Sequence, residues 1–312
     1  MRLIGFIHIL FIAALSQQVM SQQALSQQVM RAPAVIASIK PVHSLVAGVM
    51  AGVGTPELLV TGAASEHDTA LRPSQAKSLQ QADLIFWVGP QLENFLVRPL
   101  AGLTPSVGQI ALSDSAGVRL LPVRDADTLQ APSDAPDLPK DMHIWLDPDN
   151  AAAMVRAIAE TLQARDPANA AAYVKNAAAL EVRLRASKHL ISARLAVSPM
   201  PPYMVFHDAY QYFETRFGLR PAAIISLDPE HPPGARRVQA LRSRVTDAGV
   251  VCVFAEPQFA PRLIHTLIEG TSARAATLDP LGAELPEGSD MYFALLDQMV
   301  NALTGCKAEN QG

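Results

Sequence analysis

The clearest fold signal in the sequence is Tyr203-Met204-Val205-Phe206-His207-Asp208-Ala209-Tyr210-Gln211-Tyr212-Phe213. Its apolar start, Tyr203 to Phe206, is typical of a buried strand, and an aromatic helical pattern follows the histidine and the acid. This layout places His207 at the carboxyl end of a strand, where ligands bind in open parallel α/β sheets. His207 is therefore a candidate metal ligand. The alternative is a histidine that forms a hydrogen bond in a half-buried turn.

Short apolar strands alternate with amphipathic helices in both halves of the chain. The predicted strands are Val35 to Ile39, Glu57 to Val60, Leu84 to Val88, Tyr203 to Phe206, Ala222 to Ser226, Val250 to Ala255 and Ala275 to Leu278. Alternation of this kind indicates parallel sheets covered by helices, so the predicted fold class is α/β.

A long helix is predicted between the two halves. Asp166-Pro167 suits a helix cap and first turn, and the sequence from Ala168 to Ala196 contains neither glycine nor proline. About 30 residues at 1.5 Å per residue give a helix of about 45 Å, longer than most helices of a compact domain. We therefore predict an N-terminal lobe at 35–166, a linking helix at 167–198 and a C-terminal lobe at 199–312.

The first 34 residues have the pattern of an export signal and a processing region. Met1-Arg2 precedes an apolar run from Leu3 to Leu15, which is too short to cross a bilayer stably. Near-copies of one five-residue unit follow between Ser16 and Met30. Nothing later in the sequence has the pattern of a transmembrane segment. We therefore predict export without membrane insertion.

Composition fits a globular protein of about two domains. Of the 312 residues, 49% are hydrophobic and 17% charged, and the formal net charge is −4. No basic run or basic patch with interleaved aromatic residues occurs, which argues against nucleic acid as a partner. Cys252 and Cys306 could form a disulfide in an oxidising compartment or remain two buried thiols.

The segment from Ser113 to Lys140 interrupts the alternation. It is rich in proline and aspartate and has no apolar period, so it predicts a mobile acidic loop. Ordered structure is expected to resume at Asp141.

Other candidate ligands fall at positions comparable to that of His207. Glu66 and His67 follow the second strand, His143 follows the acidic loop, and Asp279 follows the last strand. Spacings of roughly 70 residues form no local motif, so the prediction rests on this shared placement. Three imidazoles and one carboxylate suit tetrahedral zinc, and the acid could be Glu66 or Asp279.

Each zinc-binding histidine should also donate its second ring N–H to an acceptor outside the metal sphere. Asp208 and Asp147 are the two candidates that the sequence suggests for this role.

Several motifs spread over the chain carry a family resemblance. They are Glu66-His67-Asp68, Leu71-Arg72-Pro73-Ser74, Ala82-Asp83-Leu84-Ile85-Phe86-Trp87-Val88-Gly89-Pro90, His143-Ile144-Trp145-Leu146-Asp147-Pro148, Phe206-His207-Asp208-Ala209-Tyr210 and Asp279-Pro280-Leu281-Gly282. Together they resemble the periplasmic zinc-binding proteins of bacterial high-affinity zinc ABC transporters. The resemblance covers nearly the whole exported chain.

The resemblance implies two lobes, each a four-stranded parallel sheet flanked by helices, joined by one long helix. It implies that zinc is held between the lobes, where His67, His143 and His207 match the zinc-binding histidines. Glu66 matches the acid that can complete the site. Cys252 and Cys306, taken as a pair, match a disulfide found in some members.

The implied function is capture of zinc in the periplasm by a monomer, which delivers the ion to a membrane permease with its ATPase. The resemblance also implies that the protein is not an enzyme. A manganese or iron receptor of the same superfamily is one alternative, although such relatives usually have a carboxylate where His207 stands. A zinc hydrolase or metal chelatase is another, but no HExxH, GxSxG or phosphate-binding glycine loop occurs.

Many members of this family have a histidine-rich run in the loop that precedes the second histidine ligand. The corresponding segment, Ser113 to Lys140, contains acids but no histidine. A second zinc site in this loop is therefore not expected.

Overall fold

The protein is described from a computed structural model. The described residues are 31–67, 70–130, 138–197, 199–227, 229, 231, 233–259 and 261–308. Residues 1–30 of the predicted export and processing region lie outside this part of the chain. Residues from Pro33 onward group into one unit by their contacts.

The N-terminal lobe is built on a four-stranded parallel sheet with the order β2-β1-β3-β4. Its strands are β1 (Val35–Ala37), β2 (Glu57–Leu58), β3 (Leu84–Trp87) and β4 (Gly108–Ala111), and its helices are α1 (Lys40–Val49), α2 (Pro73–Gln81) and α3 (Asn94–Ala101). Pairing extends beyond β2, since the amides of Leu59 and Val60 donate to carbonyls of β1 and the residue after it. The parallel pairing of this strand therefore continues to Val60, at the carboxyl edge of the sheet.

A short antiparallel pair and two long helices connect the lobes. They are β5 (Leu121–Pro122), β6 (Lys140–Asp141), α4 (Pro148–Arg165) and α5 (Ala170–Ala196). The 27 residues of α5 correspond to about 40 Å of helix. The Asp166 carboxylate fixes the start of α5, because it accepts hydrogen bonds from Asn169 Nδ2 and Tyr173 Oη, each at 2.8 Å.

The C-terminal lobe repeats the architecture of the first, with a parallel sheet of order β10-β9-β7-β8. Its strands are β7 (Tyr203–His207), β8 (Ala223–Ser226), β9 (Cys252–Ala255) and β10 (Arg274–Thr277), and its helices are α6 (Gln211–Phe217), α7 (Ala235–Asp247), α8 (Arg262–Ile268) and α9 (Met291–Ala308). The described part of the chain thus contains every strand that the sequence predicts, with bounds within two residues of those expected.

One apolar core runs through both lobes. It includes Val35 in β1 and Val205 in β7, and side chains of α4, α5 and α9 fill the space between the two sheets. The outer face of each sheet has its own smaller core under the covering helices. The predicted α/β fold of two lobes with a long connecting helix is confirmed. The predicted boundaries at 166, 198 and 34 stay predictions.

The segment from Ser113 to Lys140 differs from the predicted loop. Among its described residues, Leu121–Pro122 pairs with Lys140–Asp141, and Arg124 is buried in the C-terminal lobe. Charged and polar side chains therefore anchor this segment where an apolar pattern is missing.

The structure joins Cys252 and Cys306 in a disulfide, as predicted. The bridge links the first residue of β9 to the last turns of α9. None of the helices in the described part of the chain is both long enough and apolar enough to cross a membrane.

Candidate metal centre

The predicted ligands lie where the chain leaves the sheets at the cleft between the lobes. Glu66 and His67 follow β2, and His207 is the last residue of β7. His143 lies between β6 and the 3-10 turn Ile144–Leu146. The indole N–H of Trp145 in that turn donates to the carbonyl of Pro280 at 2.8 Å, which holds His143 against the opposite lobe.

Four of the predicted ligands meet at one point. Glu66, His67, His143 and His207 each offer a ligand atom within 4.8 Å of the other three. The Nε2 atoms of His143 and His207 are 3.2 Å apart, and Glu66 Oε1 lies 3.6 Å from His143 Nε2 and 3.8 Å from His67 Nε2. Two ligands of a tetrahedral zinc, each about 2.0–2.1 Å from the ion, are about 3.3 Å apart. The three separations lie close to that value or somewhat above it, so the cluster is of a size that can close around a zinc ion.

The four side chains are unequally buried. Glu66, His143 and His207 are 1%, 6% and 2% exposed, whereas the side chain of His67 is 25% exposed. A cavity of about 570 Å³ opens beside the three histidines. Solvent therefore reaches the site on the side of His67.

Two carboxylates orient the buried histidines from outside the cluster. Nδ1 of His143 lies 2.7 Å from Asp141 Oδ1, and Nδ1 of His207 lies 2.8 Å from both carboxylate oxygens of Glu256. The hydroxyl of Tyr210 lies 3.0 Å from Glu256 Oε1 and 2.7 Å from the carbonyl oxygen of Leu278, so its single proton faces two acceptors beside that carboxylate. With Nδ1–H donated in this way, Nε2 of each ring faces the cluster, and it can bind a metal once it carries no proton.

The prediction that Asp208 or Asp147 accepts from these histidines is wrong, because Asp141 and Glu256 occupy those positions. Asp208 forms a buried ion pair with Arg124. Asp147 is the N-cap of α4, where its Oδ1 accepts from the amide of Asp149, and it pairs with Arg216 at 2.7 Å. Both aspartates follow the histidine motifs closely in sequence, but their side chains serve helix capping and contacts between the lobes.

Sequence reasoning missed Asp141 and Glu256. Asp141 stands two residues before His143 in an extended segment, a spacing that returns both side chains to the same side. Glu256 directly follows β9, and β9 is the neighbour of β7. Neighbouring parallel strands end at the same edge of a sheet, so an acid directly after β9 is the available signal for a partner of His207.

Asp279 lies outside the four-residue cluster. Its Oδ1 accepts from the amide of Leu281 at 2.9 Å and from Gln258 Nε2 at 3.1 Å, and its Oδ2 accepts from the amide of Ala283 at 2.6 Å. Its carboxylate thus shapes the turn after β10.

The cluster shifts the proton affinities of its members in opposite directions. Burial favours neutral Glu66, but the hydrogen bond from His143 and the nearby histidines prevail and lower the pKa of Glu66 to about 2. Burial likewise favours neutral His143, but the charges of Asp141 and Glu66 prevail and raise the pKa of His143 to about 10. A positive ion at this point would replace the proton on His143 and meet an ionised Glu66.

The amino-acid sequence matches a known family. A family model for ZnuA, described as the periplasmic component A of a zinc-uptake complex, matches residues 35–306. The high-affinity zinc uptake system protein ZnuA of Brucella abortus is 40% identical over an alignment 303 residues long. The alignment covers 87% of this chain and 91% of that protein.

Solved structures share the fold. A crystal structure of ZnuA has a TM-score of 0.74 at 22% identity and covers 87% of this chain and 99% of the other. The manganese complex of the solute-binding protein FpvC from Pseudomonas aeruginosa has a TM-score of 0.76 at 21% identity. The match covers 90% of this chain and 100% of the FpvC chain. With the family match over nearly all described residues, the chain belongs to the ZnuA family of periplasmic zinc-uptake components.

Proposed function

We propose that this protein is the periplasmic solute-binding component of a zinc ABC transporter. It binds one zinc ion between its lobes and delivers the ion, as a monomer, to a membrane permease driven by an ATPase. The observation that carries the proposal is the convergence of three imidazoles and one carboxylate, with ligand atoms within 4.8 Å of one another. Membership of the ZnuA family supports zinc as the cargo and the periplasm as the location.

The donors in this proposal are His67, His143, His207 and Glu66. Four protein ligands complete a tetrahedral zinc sphere and leave no position for an activated water, which suits capture and release more than hydrolysis. Glu66 is the preferred acid because it is buried within the cluster. Asp279 is less suited, since both of its oxygens already accept hydrogen bonds.

A manganese receptor is the second candidate, and the likeness to manganese-bound FpvC in fold is the observation in its favour. Manganese suits carboxylate, carbonyl and water oxygens, often in octahedral sites. The described cluster offers three nitrogens and one carboxylate, a donor set that favours zinc over manganese.

The test is equilibrium competition with a chromogenic chelator for the wild-type protein and two variants. His207→Ala should weaken zinc binding by about 100-fold or more, since loss of an outer partner alone typically costs 10- to 100-fold. His189→Ala removes an exposed histidine of α5 and should bind zinc as the wild type does. The same titration with manganese should give a weaker wild-type affinity than zinc. Wild-type zinc affinity in His207→Ala would refute the proposed site, and tighter binding of manganese would favour the second candidate.

A further inference from the structure

Residues 119–130, here called the strap, cross from the N-terminal lobe to the surface of the C-terminal lobe. The exposed rim of the strap contacts three arginines of that lobe. Arg220 donates to the carbonyl of Thr128 at 3.1 Å, Arg244 donates to the carbonyl of Asp127 at 3.4 Å, and Arg237 pairs with the Asp127 carboxylate. These contacts lie in solvent and are each weak.

The central contact of the strap is different because it is buried. Arg124 is 7% exposed, and its partners Asp208 and Glu214 are 9% and 2% exposed. Nε of Arg124 lies 3.0 and 2.9 Å from the two oxygens of Asp208, and Nη2 lies 2.6 Å from Asp208 Oδ1 and 2.5 Å from Glu214 Oε2. One planar guanidinium thus binds two carboxylates at once, a geometry that an ammonium cannot reproduce.

This contact lies directly beside the metal centre. Asp208 is the residue after His207, and Glu214 also accepts from the hydroxyl of Tyr203 at 3.1 Å, at the other end of β7. Arg124 therefore connects the strap to β7 near both of its ends, directly through Asp208 and indirectly through Glu214.

The same strap also reaches the histidine of the other lobe. Leu121 of the strap pairs with Asp141, the residue that orients His143. The hydroxyl of Tyr212 accepts from the amide of Leu121 at 2.8 Å and donates to the carbonyl of Asp141 at 2.7 Å. Contacts through the strap thus connect Asp141, which orients His143, to Asp208, which follows His207. The Nε2 atoms of the two histidines are 3.2 Å apart.

We infer that Arg124 is a positioning residue for metal selectivity, which fixes the distance between His143 and His207 by tying the strap to Asp208 and Glu214. The inference rests on the proposed function. Tetrahedral zinc needs its nitrogen ligands at a short, fixed separation, whereas manganese accepts more ligands, including water oxygens. Loosening the tie therefore weakens zinc binding more than manganese binding.

The test compares Arg124→Lys with the control Asp127→Asn. Lysine keeps the positive charge but cannot reproduce the planar contact with both carboxylates, and Asp127→Asn removes the charge from an exposed ion pair of the same strap. Arg124→Lys should lower zinc affinity by about 10- to 100-fold, as for other residues that support metal ligands, with a smaller loss for manganese. Cobalt(II), used as a spectroscopic probe, should lose the intense visible bands of a tetrahedral site in Arg124→Lys and keep them in the control.

The outcomes separate this inference from the proposed function. Wild-type protein that shows no tight zinc binding and no tetrahedral cobalt spectrum would overturn both. If Arg124→Lys binds zinc with wild-type affinity, or loses the same factor of affinity for zinc and for manganese, the proposed role of Arg124 is overturned and the proposed function stands. Arg124→Met gives a second measurement: if it folds, it should show the same selective loss, and if it does not fold, Arg124→Lys decides.

Discussion

In the metal-free site, the raised pKa of His143 favours the protonated ring at neutral pH. The Asp141 carboxylate at its Nδ1 and the nearby Glu66 outweigh the effect of burial and raise the pKa of His143 to about 10, from an ordinary value of 6.5. The protonated ring stabilises the metal-free fold below pH 6.5, and this contribution is lost as the pH rises through about 10. Zinc bound at Nε2 of His143 would displace this proton, so zinc affinity is expected to fall as the pH is lowered from 10.

Zinc binding at pH 8 is expected to release about one proton from His143. Titration calorimetry in buffers with different ionisation enthalpies measures this number directly. In Asp141→Asn the pKa of His143 falls because its charged partner is lost, so fewer protons should be released at the same pH. Heats that are independent of the buffer in the wild type would contradict the assignment of His143 as a ligand.

The three histidines of the cluster were singled out by two kinds of sequence signal. His207 follows an apolar strand, and His67 and His143 belong to motifs of the resemblance. The outer acid Glu256 was not predicted, because its relevance depends on β9 lying next to β7. Strand order arises from the packing of the whole sheet, which local patterns do not encode.

The disulfide joins α9 to the end of β9 that lies opposite the metal centre. Cys252 begins β9, whereas Glu256 follows the opposite end of that strand. Arg274 of β10 supports the same junction, since it donates to the carbonyls of Gly305 and Cys306 at 2.9 and 2.8 Å. The bridge therefore supports stability and has no contact with the ligands.

Replacing both cysteines with alanine is expected to lower the free energy of unfolding by up to about 4 kcal/mol, the chain-entropy value for a loop of this size. The sequence separation of the two cysteines is 54 residues. Urea unfolding of the metal-free protein measures the loss. Zinc affinity measured by chelator competition should not change, and a large decrease in that affinity would show that the two regions are coupled.

Elements with a strong apolar pattern were predictable, and those that depend on partners were not. Strand β4 has the sequence Gly-Gln-Ile-Ala, too short and too polar to be recognised alone, yet it pairs with β3 along its full length. Strand β5 is two residues long and depends on Asp141 and Tyr212. Tertiary contacts, rather than intrinsic propensity, define both.

The two lobes are joined by more than α5. Lys40 of α1 is buried and donates to the carbonyls of Gly282, Ala283 and Leu285 in the other lobe, at 3.2, 2.6 and 2.9 Å. The amide of Tyr292 donates to Ser44 Oγ at 2.9 Å. Together with the shared apolar core, these contacts oppose wide opening of the cleft.

Thermal unfolding of the metal-free protein is expected to show one cooperative transition, because both lobes share a core. Zinc at 100 times its dissociation constant should stabilise the native state by about 2.7 kcal/mol and raise the melting temperature. Scanning calorimetry measures both effects, and His207→Ala should show no comparable shift. Two separate transitions would contradict a shared core, and an unchanged midpoint would contradict zinc binding.

The four proposed ligands come from three distant segments of the chain. Glu66 and His67 are adjacent, whereas His143 and His207 are 64 residues apart. An unfolded molecule can thus offer zinc at most a neighbouring pair of donors, which binds far more weakly than four. A stoichiometric zinc titration consequently counts intact molecules, and it can serve as an assay of the active fraction in a purified sample.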